Sequence, residues 1–271
     1  MDYLSFTFNT TAEQSELLLA LLADAGFEGF EEEEQTLKAF LPKDQFNQED
    51  FDAILEKVPV SYVWEEVKPQ NWNAIWEAGF EPIRVGHFAG IRAGFHAPLG
   101  GLQHEIIITP KMSFGTGHHA TTYLMMEQLS ALDLKNKSVV DFGTGTGVLA
   151  ILAEKMGARE VLALDNDDWS IENAKENLQE NQCRHIRVEK ADALPADMKF
   201  DIILANINLN VILQSLPAIL AASHADTLIL LSGFLQTDEV QLFRALAGAG
   251  LLCNSITQKG EWICVNVKQL Q

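Results

Sequence analysis

Cysteine is scarce in this sequence of 271 residues: Cys183, Cys253 and Cys264 are the only three. An odd number with no Cys-x-x-Cys spacing argues against a disulfide framework and against a zinc knuckle, and leaves buried free thiols as the expectation. The seven histidines form no His-Glu-x-x-His or other metal-ligand spacing; only His118 and His119 are adjacent. No metal is expected. Positive charge is also short, with 19 Lys and Arg against 38 Asp and Glu, a formal net charge of −19. Nucleic-acid binding rests largely on Lys and Arg displacing counterions, so direct binding to a phosphate backbone is not expected. Apolar runs are broken by charge or glycine well short of the roughly 18 residues that a membrane span needs. MDYLSFTFNTTAEQ has neither a basic start nor an apolar stretch with a cleavage site, so a cytoplasmic location is expected.

The acidity is uneven. Residues 1–70 hold 16 Asp or Glu against 4 Lys, whereas residues 71–271 hold 22 acidic against 15 basic residues. Such a leading segment attracts a basic protein, although four adjacent glutamates, Glu31 to Glu34, are more commonly a solvated turn or strand edge than a binding surface.

Residues 1–67 read as a small α+β domain. YLSFTFN alternates at period two and sets Leu4, Phe6 and Phe8 on one face; the next stretch has helical spacing, with Leu18, Leu21, Leu22 and Ala25 on a stripe ended by Gly26. One or two strands around the glutamates, a helix with Phe51, Ile54, Leu55 and Val58 inward, and a strand at PVSYVWEEV complete the order β-α-β-β-α-β, which is ferredoxin-like. Residues 68–80 form a linker with a helical turn or two, in which Trp72, Ile75 and Trp76 are expected to pack. Short strands and one helix, TTYLMMEQLSAL, lead into an alternating α/β pattern from residue 138. Near-continuous apolar strands separated by helices predict a mostly parallel sheet covered on both faces. With a final hairpin turning at Lys259-Gly260, residues 81–271 carry a mixed seven-stranded sheet.

Asp141 closes the first of these strands, and Gly143, Gly145 and Gly147 follow at every second residue before a helix. Glycine lets a backbone turn sharply and approach a ligand, and a helix amino end offers unpaired amides to an anion. Asp165 ends the second strand, where a carboxylate can accept from ribose hydroxyls, and Asp192 follows the third, where it can meet a base. All of these converge at the carboxyl ends of neighbouring strands, where open α/β sheets bind ligands. A glycine loop by itself serves nicotinamide and flavin dinucleotides as well. Here, however, the loop reads Gly-x-Gly-x-Gly directly after Asp-Phe rather than Gly-x-Gly-x-x-Gly, and a carboxylate there suits an amino acid's ammonium better than a pyrophosphate.

DFGTGTG, ALDND and ADAL together resemble the class I, Rossmann-like S-adenosylmethionine-dependent methyltransferases. SFGTGHHATT upstream, ILANINLNVI at the fourth strand and WNAIWEAGFEPI in the linker resemble, more narrowly, the bacterial methyltransferases that modify protein eleven of the large ribosomal subunit. The likeness runs the length of the chain. It implies a substrate-recognition domain followed by a methyltransferase domain, with S-adenosylmethionine as cofactor, that protein as the basic partner, and trimethylated lysine and N-terminal α-amines as products. It also implies the binding residues: Asp141, Gly143, Thr144, Gly145 and Gly147 at the methionyl part, Asp165 at the ribose and Asp192 at the adenine side. Phe114, Gly115, Thr116 and Gly117 would form an upstream cofactor loop with Thr121, and Asn206 would lie at the cofactor and act catalytically near the transferred methyl. Two departures fall near where the substrate amine would arrive: Pro110, Lys111, Met112 and Ser113 replace the family's usual Pro-Gly-x-Ala, and ANINLN replaces a commoner Asn-Ile-Leu. The competing classes are an N-methyltransferase for another protein or a small amine, and a noncatalytic cofactor-binding protein.

Overall fold

The structure, a computed structural model, describes residues 3–33, 35–67, 81–109 and 119–270. The chain divides into two compact units, Met1–Gly79 and Phe80–Gln271. The expected linker, 68–80, with Trp72, Ile75 and Trp76, lies outside the described residues, as do Glu34 and the stretch 110–118.

In the first unit the elements run β1 (Tyr3–Asn9), α1 (Ala12–Asp24), β2 (Glu28–Glu33), β3 (Thr36–Pro42), α2 (Gln48–Lys57) and β4 (Ser61–Val67). Their sheet has the order β2-β3-β1-β4, and every neighbouring pair is antiparallel. The alternation in β1 does what period two requires: Leu4, Phe6 and Phe8 are buried under the helices with Leu18, Leu22, Phe51 and Ile54. Thr11 and Gln14 close a reciprocal capping box that starts α1, and Gly26, at φ +88°, lets the chain turn away after it. Glu31 and Glu32 stand exposed on β2, an edge strand, where charge discourages pairing with another chain.

The second unit opens with a three-stranded sheet, β5 (Ile83–Val85), β6 (Ala89–Ala93) and β7 (His104–Ile108), in that order, with β7 at one edge. Helix α3 (Ala120–Leu129) then precedes the main sheet. The alternating run follows as β8 (Ser138–Phe142), α4 (Val148–Lys155), β9 (Glu160–Asp165), α5 (Asp168–Glu180), β10 (Ile186–Lys190), β11 (Phe200–Asn206), α6 (Leu209–Ala221), β12 (Ser223–Leu235), α7 (Glu239–Gly248), β13 (Leu251–Lys259) and β14 (Trp262–Gln269). The seven strands lie in the order β10-β9-β8-β11-β12-β14-β13; the first five are parallel and the terminal hairpin is antiparallel, as the pattern predicted.

Successive residues of each central strand feed opposite cores. Val139, Val161, Leu204 and Leu230 pack with Met125, Ile151 and Leu178 on one face, whereas Val140, Leu162, Ile203 and Leu231 pack with Ile212, Leu216 and Leu242 on the other. That double burial is why the strands read as unbroken apolar runs. Cys264 is buried in the first of these cores, and Cys183 and Cys253 are free and half-buried. Among the described residues no helix is long and apolar enough to cross a membrane, and no group of His, Cys, Asp and Glu is arranged to hold a metal ion.

At the opposite end of the sheet from the strand carboxyl ends, Asp201 ties β11 to β8. Its Oδ2 accepts from the amide of Ser138 at 2.8 Å and from the hydroxyl at 3.0 Å, and its Oδ1 stands 3.3 Å from His224 Nε2 and 3.8 Å from Lys137 Nζ. Burial pushes its pKa up, but the Ser138 hydrogen bonds, with Lys137 and His224, outweigh it and hold the carboxyl below its ordinary value. Asp201 therefore adds stability at neutral pH that disappears as the pH falls through its folded pKa. Asp201→Asn is expected to be less stable than the parent at pH 7 and to converge on it in acid, as read by urea unfolding across that range; a gap that does not change with pH would contradict this.

Candidate active site

The carboxyl ends of β8, β9, β11 and β12 surround a cavity of about 540 Å³. Its floor is the loop after β8. The amides of Gly143 and Thr144 both donate to the carbonyl of Leu164 at 2.8 Å, which pins the loop across the end of β9, and the Gly147 amide donates to the Thr144 carbonyl at 2.9 Å. Gly143, Gly145 and Gly147 all have positive φ, at +79°, +54° and +80°. At Gly143 a β-carbon would stand 2.1 Å from Ile207 Cγ2, and at Gly147 it would press on Leu178 and Ala174 of α5. The first glycine therefore opens the cavity floor, and the last permits close helix packing.

Gly143, Thr144, Gly145, Asp165, Asp192 and Asn206 line this one cavity. The Asp165 carboxylate accepts from the amides of Gly145 at 2.9 Å and Asp167 at 3.1 Å, which fixes its plane; each oxygen retains a second lone pair for a ligand hydroxyl. Asp192 stands exposed at the rim. Asn206, the last residue of β11, is 7% exposed. Its Nδ2 donates to Thr122 Oγ1 at 3.3 Å, while its Oδ1 is buried without a hydrogen-bond partner. A buried amide oxygen without a partner at a cavity wall is a ready acceptor for a ligand N–H.

Other predicted residues are placed differently. Asp141 and Gly147 do not line the cavity. Asp141 is fully buried beneath the loop, where its Oδ2 accepts from Thr144 Oγ1 at 2.6 Å and its Oδ1 makes no hydrogen bond. Burial pushes this carboxyl up to about 6, against the Thr144 hydroxyl and the nearby Ala150 amide, and the charge of Asp165 adds to the rise. Thr121 is also buried away from the cavity; its hydroxyl is 2.8 Å from His119 Nδ1. The neighbours Thr122 and His119 reach the wall instead. Phe114, Gly115, Thr116, Gly117 and His118 lie outside the described residues.

The residues not singled out from sequence are largely those that shape the walls. Phe142, Val148, Leu149 and Val211 give an apolar side, and Asn166, Ser170, Ala191, Ile207, Asn208, Gly233 and Trp262 complete the lining. His119 caps α3 and meets the Trp262 ring edge-on at 4.3 Å, and burial lowers its pKa. Gly233 sits at φ +102° where the β12–β14 register shifts, and a β-carbon there would lie 2.3 Å from the Ile207 carbonyl oxygen. A glycine inside an apolar strand pattern signals such a close approach, and LLSGFL carries it.

A seven-stranded mixed sheet in this order, with a glycine loop after β8 and an acidic residue at the end of β9, defines a Rossmann-like methyltransferase fold. The solved structures agree. A ribosomal protein L11 methylase from Lactobacillus delbrueckii subsp. bulgaricus, 30% identical, superposes with a TM-score of 0.66 over 71% of this chain and 100% of that one. A methyltransferase from Pyrococcus furiosus, 16% identical, shares the fold with a TM-score of 0.52 over 60% of this chain and 88% of its own. At the level of sequence, the family profile described as ribosomal protein L11 methyltransferase (PrmA) matches residues 5–270. The ribosomal protein L11 methyltransferase of Porphyromonas gingivalis is 40% identical over 278 residues, covering 97% of this chain and 96% of that protein. That of Chlorobaculum parvum is 39% identical over 276 residues, with 97% and 95% covered. The chain belongs to the ribosomal protein L11 methyltransferase family.

Two outcomes test the site's construction. Gly233→Ala must push against backbone, which cannot rotate away, and is expected to lose about 1–3 kcal/mol or more, whereas Gly248→Ala, in a helix with nothing within 4 Å, is expected to be neutral or stabilising. Equal midpoints in thermal unfolding would contradict the close approach. For Asp141 the folded pKa lies above the unfolded value, so this group alone makes stability decline as the pH rises from about 4 through about 6. Asp141→Asn is expected to flatten that decline in denaturant unfolding, and an unchanged slope would contradict it.

Proposed function

We propose that this protein transfers methyl groups from S-adenosylmethionine to lysine and N-terminal α-amines of ribosomal protein L11, giving trimethylated amines. The observation that carries the reading is the unpaired Asn206 Oδ1 at the wall of a cavity that also holds the β8 loop and Asp165. Family membership over nearly the whole chain supports the substrate, as do the relatives named for it.

The residues present fit the cofactor. The glycine loop leaves room for a backbone-hugging amino-acid moiety, Asp165 has lone pairs free for ribose hydroxyls, Asp192 stands on the base side, and Phe142 and Leu149 supply apolar wall. Phe114 to Gly117 belong to the same proposal as the upstream cofactor loop. When bound, S-adenosylmethionine supplies an electrophilic methyl group on a sulfonium. The protein's part is to deliver an amine with its lone pair aligned. A lysine has a pKa of about 10.4 in water and an α-amine about 7.7 to 8, and a partly desolvated site lowers both by disfavouring the ammonium. Asn206 Oδ1 accepts an N–H of the arriving amine and turns its lone pair toward the methyl group, while Thr122 fixes the Asn206 amide from the other side. Acceleration then comes chiefly from proximity and alignment rather than from a protein base.

The acidic first domain, 1–67, joined through the linker 68–80, recognises the basic substrate, and the cytoplasm, where ribosomal proteins are made, is the setting that follows. Steering by opposite charge weakens as salt rises.

Mass spectrometry of purified ribosomal protein L11, incubated with the enzyme and S-adenosylmethionine, is expected to show shifts in units of one methyl group, up to three per amine. Asn206→Ala is expected to lower turnover at least tenfold with little change in cofactor affinity. No shift alongside confirmed cofactor binding would reject the substrate, and unchanged turnover in Asn206→Ala would reject its role.

A further inference from the structure

Asparagine recurs at every fourth residue along α5 and its C-terminal cap, at Asn173, Asn177 and the cap residue Asn181, and the latter two turn toward the edge strand β7. Asn181 Oδ1 accepts from the Ile107 amide at 3.0 Å, and its Nδ2 donates to the Ile107 carbonyl at 2.6 Å. One helical turn earlier, Asn177 Oδ1 accepts from the Thr109 amide at 2.7 Å. Periods match here: four residues of helix rise about 6 Å, close to the roughly 6.6 Å spanned by two residues of strand. Two asparagines spaced by four therefore serve two alternate residues, Ile107 on the edge of β7 and Thr109 just past its end, groups without a ladder partner on that side.

The two asparagines diverge in their other contacts. Asn181 Nδ2 donates only back into its own helix besides Ile107, to the Asn177 carbonyl at 2.8 Å. Asn177 Nδ2 instead reaches into the loop after β8 and donates to the Thr146 carbonyl at 2.8 Å, with Asn173 Oδ1 at 3.3 Å. Asn177 is fully buried, so no water competes for these bonds. Thr146 sits between Gly145 and Gly147, and Thr109 directly precedes the stretch containing the upstream copy of Phe-Gly-Thr-Gly. One side chain thus bonds the cofactor loop on one side and, on the other, the residue from which the chain continues toward that upstream copy.

We infer that Asn177 is a positioning residue for the cofactor: it sets the Gly143–Gly147 loop in register with the end of β7, while Asn181 only fastens helix to strand. The inference rests on the cofactor reading above. Its consequence is that Asn177 governs cofactor affinity out of proportion to its part in stability.

The test compares the purified full-length variants Asn177→Ala, Asn177→Asp and Asn181→Ala with the parent, measuring S-adenosylmethionine affinity by calorimetry and the midpoint of thermal unfolding. Asn177→Ala is expected to weaken binding at least tenfold at a temperature where the protein is folded. Asn181→Ala is expected to lower the midpoint to a similar extent and to leave affinity within about twofold of the parent. Asn177→Asp adds a signature that a merely structural role does not produce. Its ionised carboxylate can still accept from Thr109 but repels the Thr146 carbonyl, whereas its protonated form can donate to that carbonyl. Burial raises its pKa. Affinity of Asn177→Asp relative to the parent at each pH is therefore expected to recover on acidification from pH 8 to pH 5.5. Parent-like affinity in Asn177→Ala, or equal losses in the Asn177 and Asn181 alanine variants with no recovery in acid, would overturn the inference while leaving the cofactor reading intact. A parent protein that fails to bind S-adenosylmethionine would overturn both.

Discussion

The site depends on a close approach that two missing side chains permit. The turn Asn206–Ile207–Asn208 crosses the carboxyl ends of β8 and β12, with the Ile207 side chain over Gly143 and its backbone against Gly233. A β-carbon at either glycine would overlap Ile207, and at Gly233 the overlap is with backbone, which has nowhere to go. Because both positions are glycine with positive φ, the turn can lie flat against the sheet. Asn206 then faces the same cavity as the glycine loop instead of pointing past it.

Around that wedge the fold arranges two kinds of wall. Phe142 at the end of β8 and Val148 and Leu149 at the start of α4 form the apolar wall, and polar groups gather where strands end and helices begin: Asp165 closes β9, Asn206 closes β11, His119 caps α3, and Thr122 and Ser170 lie in the first turns of α3 and α5. The polar groups are held in place, Asn206 by the Thr122 hydroxyl and Asp165 and the loop through backbone groups. Asp165 is fixed by two amides, the loop by the Leu164 carbonyl, and the far side of the loop by Asn177. Little has to move for a ligand to find its partners, which is the condition for acceleration by alignment.

Much of this was legible in the sequence because it rests on local periodicity. Doubly buried central strands read as apolar runs and the hairpin turns at Lys259-Gly260, so the seven-stranded mixed sheet is legible. Strand ends alone assign Gly143, Gly145, Asp165 and Asp192 to one crevice, together with Asp141 and Gly147, which do not line the cavity; Asn206 follows only from the family resemblance. What escaped depends on side-chain direction. Adjacent residues on a helix point about 100° apart, so Thr122 rather than Thr121 meets Asn206. Adjacent residues on a strand point to opposite faces, so Phe142 lines the cavity while Asp141 is turned beneath the loop. Trp262 escaped for a topological reason: β14 inserts between β12 and β13 and carries a residue from near the end of the chain to the cavity rim. The asparagine repeat in α5 was visible as spacing, but nothing in the spacing says that its partners are a strand edge and a glycine loop.

The most direct test of the account is a crystal structure of this protein with S-adenosylhomocysteine. The account predicts the amino-acid end of the ligand against Gly143–Gly145, ribose hydroxyls on the Asp165 carboxylate, the base near Asp192, and the sulfur facing Asn206. A ligand bound away from the β8 loop, or in the cavity with its sulfur turned away from Asn206, would contradict it.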